Sequence, residues 1–213
     1  MGEKKDIRDL YKKKKLVKIE DGNGNYAEVN IQTISHGAKT EAIERATEAR
    51  AEMIRSFNDK NSKESIILNK SLSEMSKEDC IEELIALDFD LINEIETKLQ
   101  EKGLTDIKSE EFAEEYDKSF AKSKANMLPQ LEKKSIDELR AQIGETRKRN
   151  MLTAYYVRVF NETVLFYALI DEDGKQLFSS IKEMEENLHG NLFVELQNAY
   201  YDLDSMDIDE VKN

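Results

Sequence analysis

"SIDELRAQIGETRKRNMLTAYYVRVFNETVLFYALI", Ser135 to Ile170, is the stretch whose reading decides the fold. Tyr155, Tyr156, Val157, Val159, Phe160, Val164, Phe166 and Tyr167 are strand-favouring residues. Leu152, Tyr155, Tyr156, Val159, Thr163, Phe166 and Ile170 nevertheless also recur at helical spacing. Two features choose the helix. The run contains no proline, and Ser135 with Glu138 three residues on forms a capping box that opens it. Its second half is apolar nearly all round, which predicts the central helix of the core, with Leu152, Tyr156, Val159, Phe166 and Ile170 as the central stripe.

Working outward, the C-terminal side reads as a turn at "DEDG" (171–174) followed by two short helices, around 180–188 and 191–203. On the N-terminal side a helix is expected from Ser109 to about Met127, stopping before Pro129. The run 76–103 reads as one helix. Ser76 and Asp79 supply its capping box, Glu78, Glu82 and Glu83 suit the positive end of the dipole, and Gly103 stops it. Ile81, Leu84, Leu91, Ile95 and Leu99 form its buried stripe. "NDKNSKES" (58–65) is a break, and before it Ala42, Ile43, Ala46, Ala49, Met53, Ile54 and Phe57 mark one face of a helix from Thr40. "LVKIE" (16–20) and "YAEVNIQ" (26–32) alternate apolar and polar residues as strands do, and "DIRDLYKKKK" (6–15) reads as a short basic helix.

The expected fold is therefore mainly α: a bundle-like helical core with a small N-terminal β-hairpin. The basic N-terminal segment and hairpin occupy residues 1–35, and the helical domain, packed with the hairpin as one unit, occupies 36–213.

Between the two strands lies "EDGNGNYAEV" (20–29), which contains G-x-G-x-x-A and three alternating Asp/Asn residues. A dinucleotide site needs a helix to begin inside the glycine motif, because the helix N-terminus holds the pyrophosphate, and here a strand follows. A kinase glycine loop would be followed by V-A-I-K, H-R-D and D-F-G, which this chain lacks. A calcium loop with Gly24 at position six would put Ile19 and Asn30 where carboxylates are required. The stretch is a hairpin turn. "LIDEDGKQLFSS" fails the calcium test in the same way, with Leu169 and Ser180 at the first and last positions. His36 and His189 lack metal-ligand spacing and read as loop residues, and Cys80 reads as a structural, partly buried thiol. No catalytic residue, metal ligand or cofactor site emerges, and the chain reads as non-enzymatic.

The net charge is −13, yet residues 72–117 alone hold sixteen acids against four lysines, whereas residues 1–20 hold eight basic residues against four acids. Alternating blocks of this kind disfavour nucleic acid and anionic membranes as partners and leave room for a basic protein. The lysine run Lys12 to Lys15 lacks the aromatic interleaving of a nucleic-acid patch and reads as a solvated face. One cysteine excludes an intrachain disulfide and suits a reducing cytoplasm. No apolar run approaches the length of a membrane span, and the N-terminus has no signal-peptide apolar region.

The order of features carries a resemblance. A hairpin ending "AEVNIQTIS" leads to the alanine- and arginine-rich "AIERATEARAEM", then to an acidic middle. A long apolar helix then runs into "YALIDEDGKQLF", and "LFVELQNAYYDL" ends the pattern. This arrangement resembles the tail assembly chaperones of long-tailed bacteriophages over most of the chain. The resemblance implies a cytoplasmic, non-enzymatic protein that coats the helical, aggregation-prone tape measure protein while tail tube subunits polymerise. The expected partners are the tape measure protein and, with it, the tail tube protein or further copies of the chain itself. The partner-binding surface is expected on the C-terminal helix, where Leu192, Phe193, Leu196, Tyr200 and Leu203 form an apolar stripe flanked by Glu195, Asp202 and Asp204. Two other readings compete: an acidic inhibitor that mimics DNA phosphates for a basic host protein, motivated by the 72–117 block, and a structural or connector protein of the virion.

Overall fold

The computed structural model describes residues 13–20 and 26–205. Strands β1 (Lys14–Glu20) and β2 (Tyr26–Gln32) pair antiparallel, with Glu20 opposite Tyr26 and Lys14 opposite Gln32. The flanks of the expected hairpin are thus in place. Its turn at 21–25 and most of the expected basic helix, 6–12, lie outside the described residues. Helices α1 (His36–Asn58), α2 (Lys63–Ser73), α3 (Lys77–Ala86), α4 (Phe89–Glu101), α5 (Glu110–Leu131) and α6 (Ile136–Ala168) follow. A two-residue strand β3 (Leu169–Ile170) and helices α7 (Ile181–Asn187) and α8 (Gly190–Ser205) complete the described chain. The fold is mainly α.

The decisive stretch is helical to Ala168. The Ser135 hydroxyl accepts from the Glu138 amide, and the Glu138 carboxylate accepts from the Ser135 amide, so both halves of the capping box are made. The last two residues depart from the expectation. Leu169 and Ile170 pair with Ile31 and Asn30 of β2, giving the sheet the order β1-β2-β3. The turn at 171–174 explains the change. Gly174 takes φ 79°, the left-handed region open to glycine, and the chain folds back so that the Leu177 amide reaches the Leu169 carbonyl at 3.1 Å.

The chain divides into two compact units, residues 1–52 with 153–213 and residues 53–152, so α1 and α6 contribute to both. In the first unit the sheet, the start of α1, the end of α6, α7 and α8 enclose one core. It contains Val17, Ile31, Ala42, Val164, Leu165, Ala168, Leu169, Met184, Leu196, Ala199, Tyr200 and Leu203. The expected central stripe is rotated. Val164, Leu165 and Ala168 face inward, Tyr156, Val159 and Phe166 are half-buried, and only Ile170 of the stripe's first-unit members is buried, in β3 rather than on the helix. On a helix apolar all round, the residues that face inward are chosen by the neighbouring elements, which periodicity does not reveal. Ile43 and Ile54 of α1 are likewise exposed, while Ala42, Ala46 and Phe57 are buried.

The second unit is built from shorter pieces. The expected single helix 76–103 is broken at Leu87 and Asp88, and the Asp88 side chain caps α4 by accepting from the Leu91 amide at 3.0 Å. Its two ends are as read: Ser76 and Asp79 form a complete capping box, and Gly103 (φ 85°) closes α4. The Gly103 and Leu104 amides bond back to the Gln100 and Leu99 carbonyls, a Schellman motif. Helix α2 lies in what reads as break and unassigned chain. Pro129 falls inside the last turn of α5, not after it, and costs one backbone hydrogen bond close to the helix end. Two small apolar clusters result. Cys80, Ile81, Leu84, Ile85, Leu131, Leu139 and Ile143 form one, and Ile95, Leu99 and Phe112 the other. Gly144 lies mid-helix, where an added Cβ would stand 3.0 Å from the Leu72 side chain and require that side chain to shift.

Polar side chains tie these pieces together. Arg147 makes a two-pronged pair with Glu83, both contacts at 2.5 Å, and donates to the Ser71 hydroxyl at 2.6 Å. Arg140 donates to the Ser73 and Met75 carbonyls at the end of α2 and the loop after it.

Candidate functional site

Helix α8 turns its apolar stripe inward. Leu196, Tyr200 and Leu203 are buried in the first unit's core, and Leu192 and Phe193 are half-buried against it. An ion pair of 2.9 Å between Lys39 and Asp204 and a hydrogen bond of 2.6 Å from the Tyr201 hydroxyl to Asn161 fasten the helix in place. The Tyr200 hydroxyl is buried beside the Ile34 backbone; burial, and then the Asp204 charge, hold it protonated well above the usual phenol range. The five residues expected to meet a partner therefore pack the body of the protein, and the apolar side chains this helix exposes are Val194 and Tyr201.

Three concavities replace that stripe as candidate sites. In the first unit, α1, α6 and α7 enclose a polar cleft of about 510 Å³. Arg45, Glu48 and Glu52 come from α1, Tyr155 and Glu162 from α6, and Lys182 and Glu185 from α7. The Arg158 guanidinium binds Glu162 at 2.5 Å and stands 3.6 Å from Glu185. Burial raises the Glu162 carboxyl above the usual carboxylate range; the neighbouring Glu185 raises it further, against the pull of Arg158.

In the second unit, two grooves flank α5. The larger, about 620 Å³, runs between α4 and α5. Leu91 and Ile95 supply its apolar floor from one side and Met127 from the other, with Glu94, Glu101, Lys98, Lys102 and Lys122 at the rim. The second, about 330 Å³, lies between α3 and α5 over Ile81 and Leu128, with Lys77, Lys124, Glu78, Glu82 and Glu132 around it. Apolar floors with rims of both signs can accept the apolar stripe of another helix while its polar face stays hydrated.

The sequence shows these features only in part. Helical periodicity puts Leu91 and Ile95 in one buried stripe; Ile95 is buried, but Leu91 is half-buried and opens onto the groove. Glu162 lies inside "YYVRVFNETVLFYALI" four residues after Arg158, so locally it reads as half of an ordinary helix pair, and its burial is not marked in the sequence. His36 opens α1 rather than lying in a loop, and His189 lies in the connection before α8. Cys80 is wholly buried, more than expected, and burial raises its thiol pKa. Among the described residues no group of three His, Cys, Asp or Glu side chains is placed to hold a metal. No described helix is long and apolar enough to cross a membrane. No family model, curated protein or solved structure matches the chain.

Proposed function

We propose that this chain is a non-enzymatic binding protein of the tail assembly chaperone kind, which keeps the helical tape measure protein soluble in the cytoplasm of an infected cell. The observation that supports this reading best is the pair of grooves beside α5, apolar at the floor and charged at the rim. A helical client needs both ingredients: somewhere to put its apolar stripe, and enough surrounding charge to keep the complex in solution. In this reading the client surface is in the second unit, and the α8 stripe serves as core.

The acidic-mimic reading is less favoured. A phosphate mimic needs one continuous ridge of unpaired charge. Here the 72–117 block is interrupted at Leu87 and Asp88, Lys98 pairs with Glu94 within it, and Lys118, just past its end, pairs with Glu115. A virion connector would remain in purified particles, whereas an assembly chaperone is absent from them.

The test is co-expression with the tape measure protein. Wild type is expected to keep the client soluble, and Leu91→Glu and Met127→Glu, which place charge on the half-buried groove floor, are expected to lose it while remaining folded. Folded variants that still hold the client would move the surface elsewhere. A wild-type protein that never binds the client would overturn the reading.

A further inference from the structure

Helix α2 turns toward solvent a face that neither apolar cluster of its unit uses. Leu68 is buried beneath it, whereas Ile66 and Ile67 are 53% and 57% exposed. Lys63 stands three residues before Ile66 and Lys70 three after Ile67, so the four side chains share one helix face at i, i+3, i+4 and i+7. Both lysines are exposed. Lys70 lies a loose 4.0 Å from Glu74, and Lys63 has no ion pair among the described residues.

Helix α8 carries an outer face of the opposite sign. Its inner stripe is spent on the core, but Val194 and Tyr201 are 53% and 42% exposed, and the hydrogen bond to Asn161 holds the Tyr201 ring in place. The helix contains no lysine or arginine. Glu195 and Asp202 stand beside Val194 and Tyr201, exposed and without an ion pair among the described residues. The spacings match across the two helices. Lys63 and Lys70 are seven residues apart, and so are Glu195 and Asp202, about 10.5 Å along each axis. Laid side by side, the helices bring both lysines to both acids in a single register, with Ile66 and Ile67 falling between Val194 and Tyr201. Either face set against its own copy would oppose like charges, so each fits the other and neither fits itself.

We propose that the α2 face of one copy of this chain receives the α8 face of a second copy, with Ile66 and Ile67 packed between Val194 and Tyr201 and Lys63 and Lys70 paired with Glu195 and Asp202. The two faces lie on different units and share no residue, so a copy bound through one keeps the other free. Such a contact is head-to-tail and adds further copies until it closes in a ring or extends as a chain. One helix laid on one helix buries less than a standard interface, so the association is weak and depends on concentration. No residue of either face lines the grooves beside α5, and the contact is independent of which client the protein binds.

The experiment is sedimentation equilibrium of the full chain, at loading concentrations from about 10 µM to about 1 mM. The average mass of the wild type is expected to rise with concentration, and high salt is expected to weaken the association about threefold to tenfold. Ile67→Glu on α2 and Glu195→Lys on α8, both at exposed positions, are each expected to weaken it by about tenfold or more. An equal mixture of the two variants carries one intact face of each kind and is expected to associate where neither does alone. A wild type that stays a single chain throughout would overturn the proposal, as would association that survives both variants. Two variants that each abolish association without rescue on mixing would also overturn it, because each face would then meet its own copy. Should either variant not fold, Lys70→Glu and Asp202→Lys make the same comparison.

Discussion

The two units of this protein solve the same problem differently. The first closes a single core with chain segments more than a hundred residues apart: Val17 and Ile31 from the sheet meet Leu165 from α6 and Leu196 from α8. The second packs successive short helices into two small clusters and adds polar ties, above all the Arg147–Glu83 pair with its bond to Ser71. A large apolar core gives stability in proportion to the area removed from water. Small clusters bury less, so hydrogen bonds to partly shielded charges carry a larger share, and they also fix the register of one helix on another. On this basis the first unit is expected to be the more resilient, while the open, apolar-floored grooves lie in the second.

That contrast is best broken by a deep truncation in each unit. Leu165→Ala, at a site only 1% exposed, should cost about 2–5 kcal/mol, and Ile143→Ala in the second unit should fall in the lower half of that range. Hydrogen exchange resolved by residue gives the sharper result. Each substitution is expected to lower protection in its own unit first, and equal losses in both would mean that the two fold as one cooperative body.

The next largest effect tests the polar ties. Arg147→Met keeps much of the side-chain volume but leaves Glu83 and Ser71 without their partner, and should cost about 2–3 kcal/mol by denaturant titration. A loss below about 0.5 kcal/mol would show that the pair is as inconsequential as a surface ion pair, and that the second unit also rests on its apolar clusters alone.

The smallest concerns a local signal. Ser76→Ala removes the hydroxyl that accepts from the Asp79 amide at the start of α3 and should cost about 1 kcal/mol. The change should appear as increased exchange confined to the first turn of α3. Fraying that spreads into α4 would show that the break at Leu87 and Asp88 does not insulate the two helices.

These sites also separate what was legible in the sequence from what was not. The chain itself determined the capping boxes at Ser76 and Ser135, the stop at Gly103, the reversal at Gly174 and the alternation of β1 and β2. All of these depend on contacts within a few residues, where side-chain chemistry and backbone geometry leave little choice. Only the tertiary structure decided which face of α6 points inward, that Leu169 and Ile170 leave the helix to join β2, and that α8 buries its stripe. It also decided that Glu162 is shielded beside Glu185. Each of these outcomes is set by elements distant in sequence competing for the same apolar surface or the same guanidinium, and neither periodicity nor propensity contains that information.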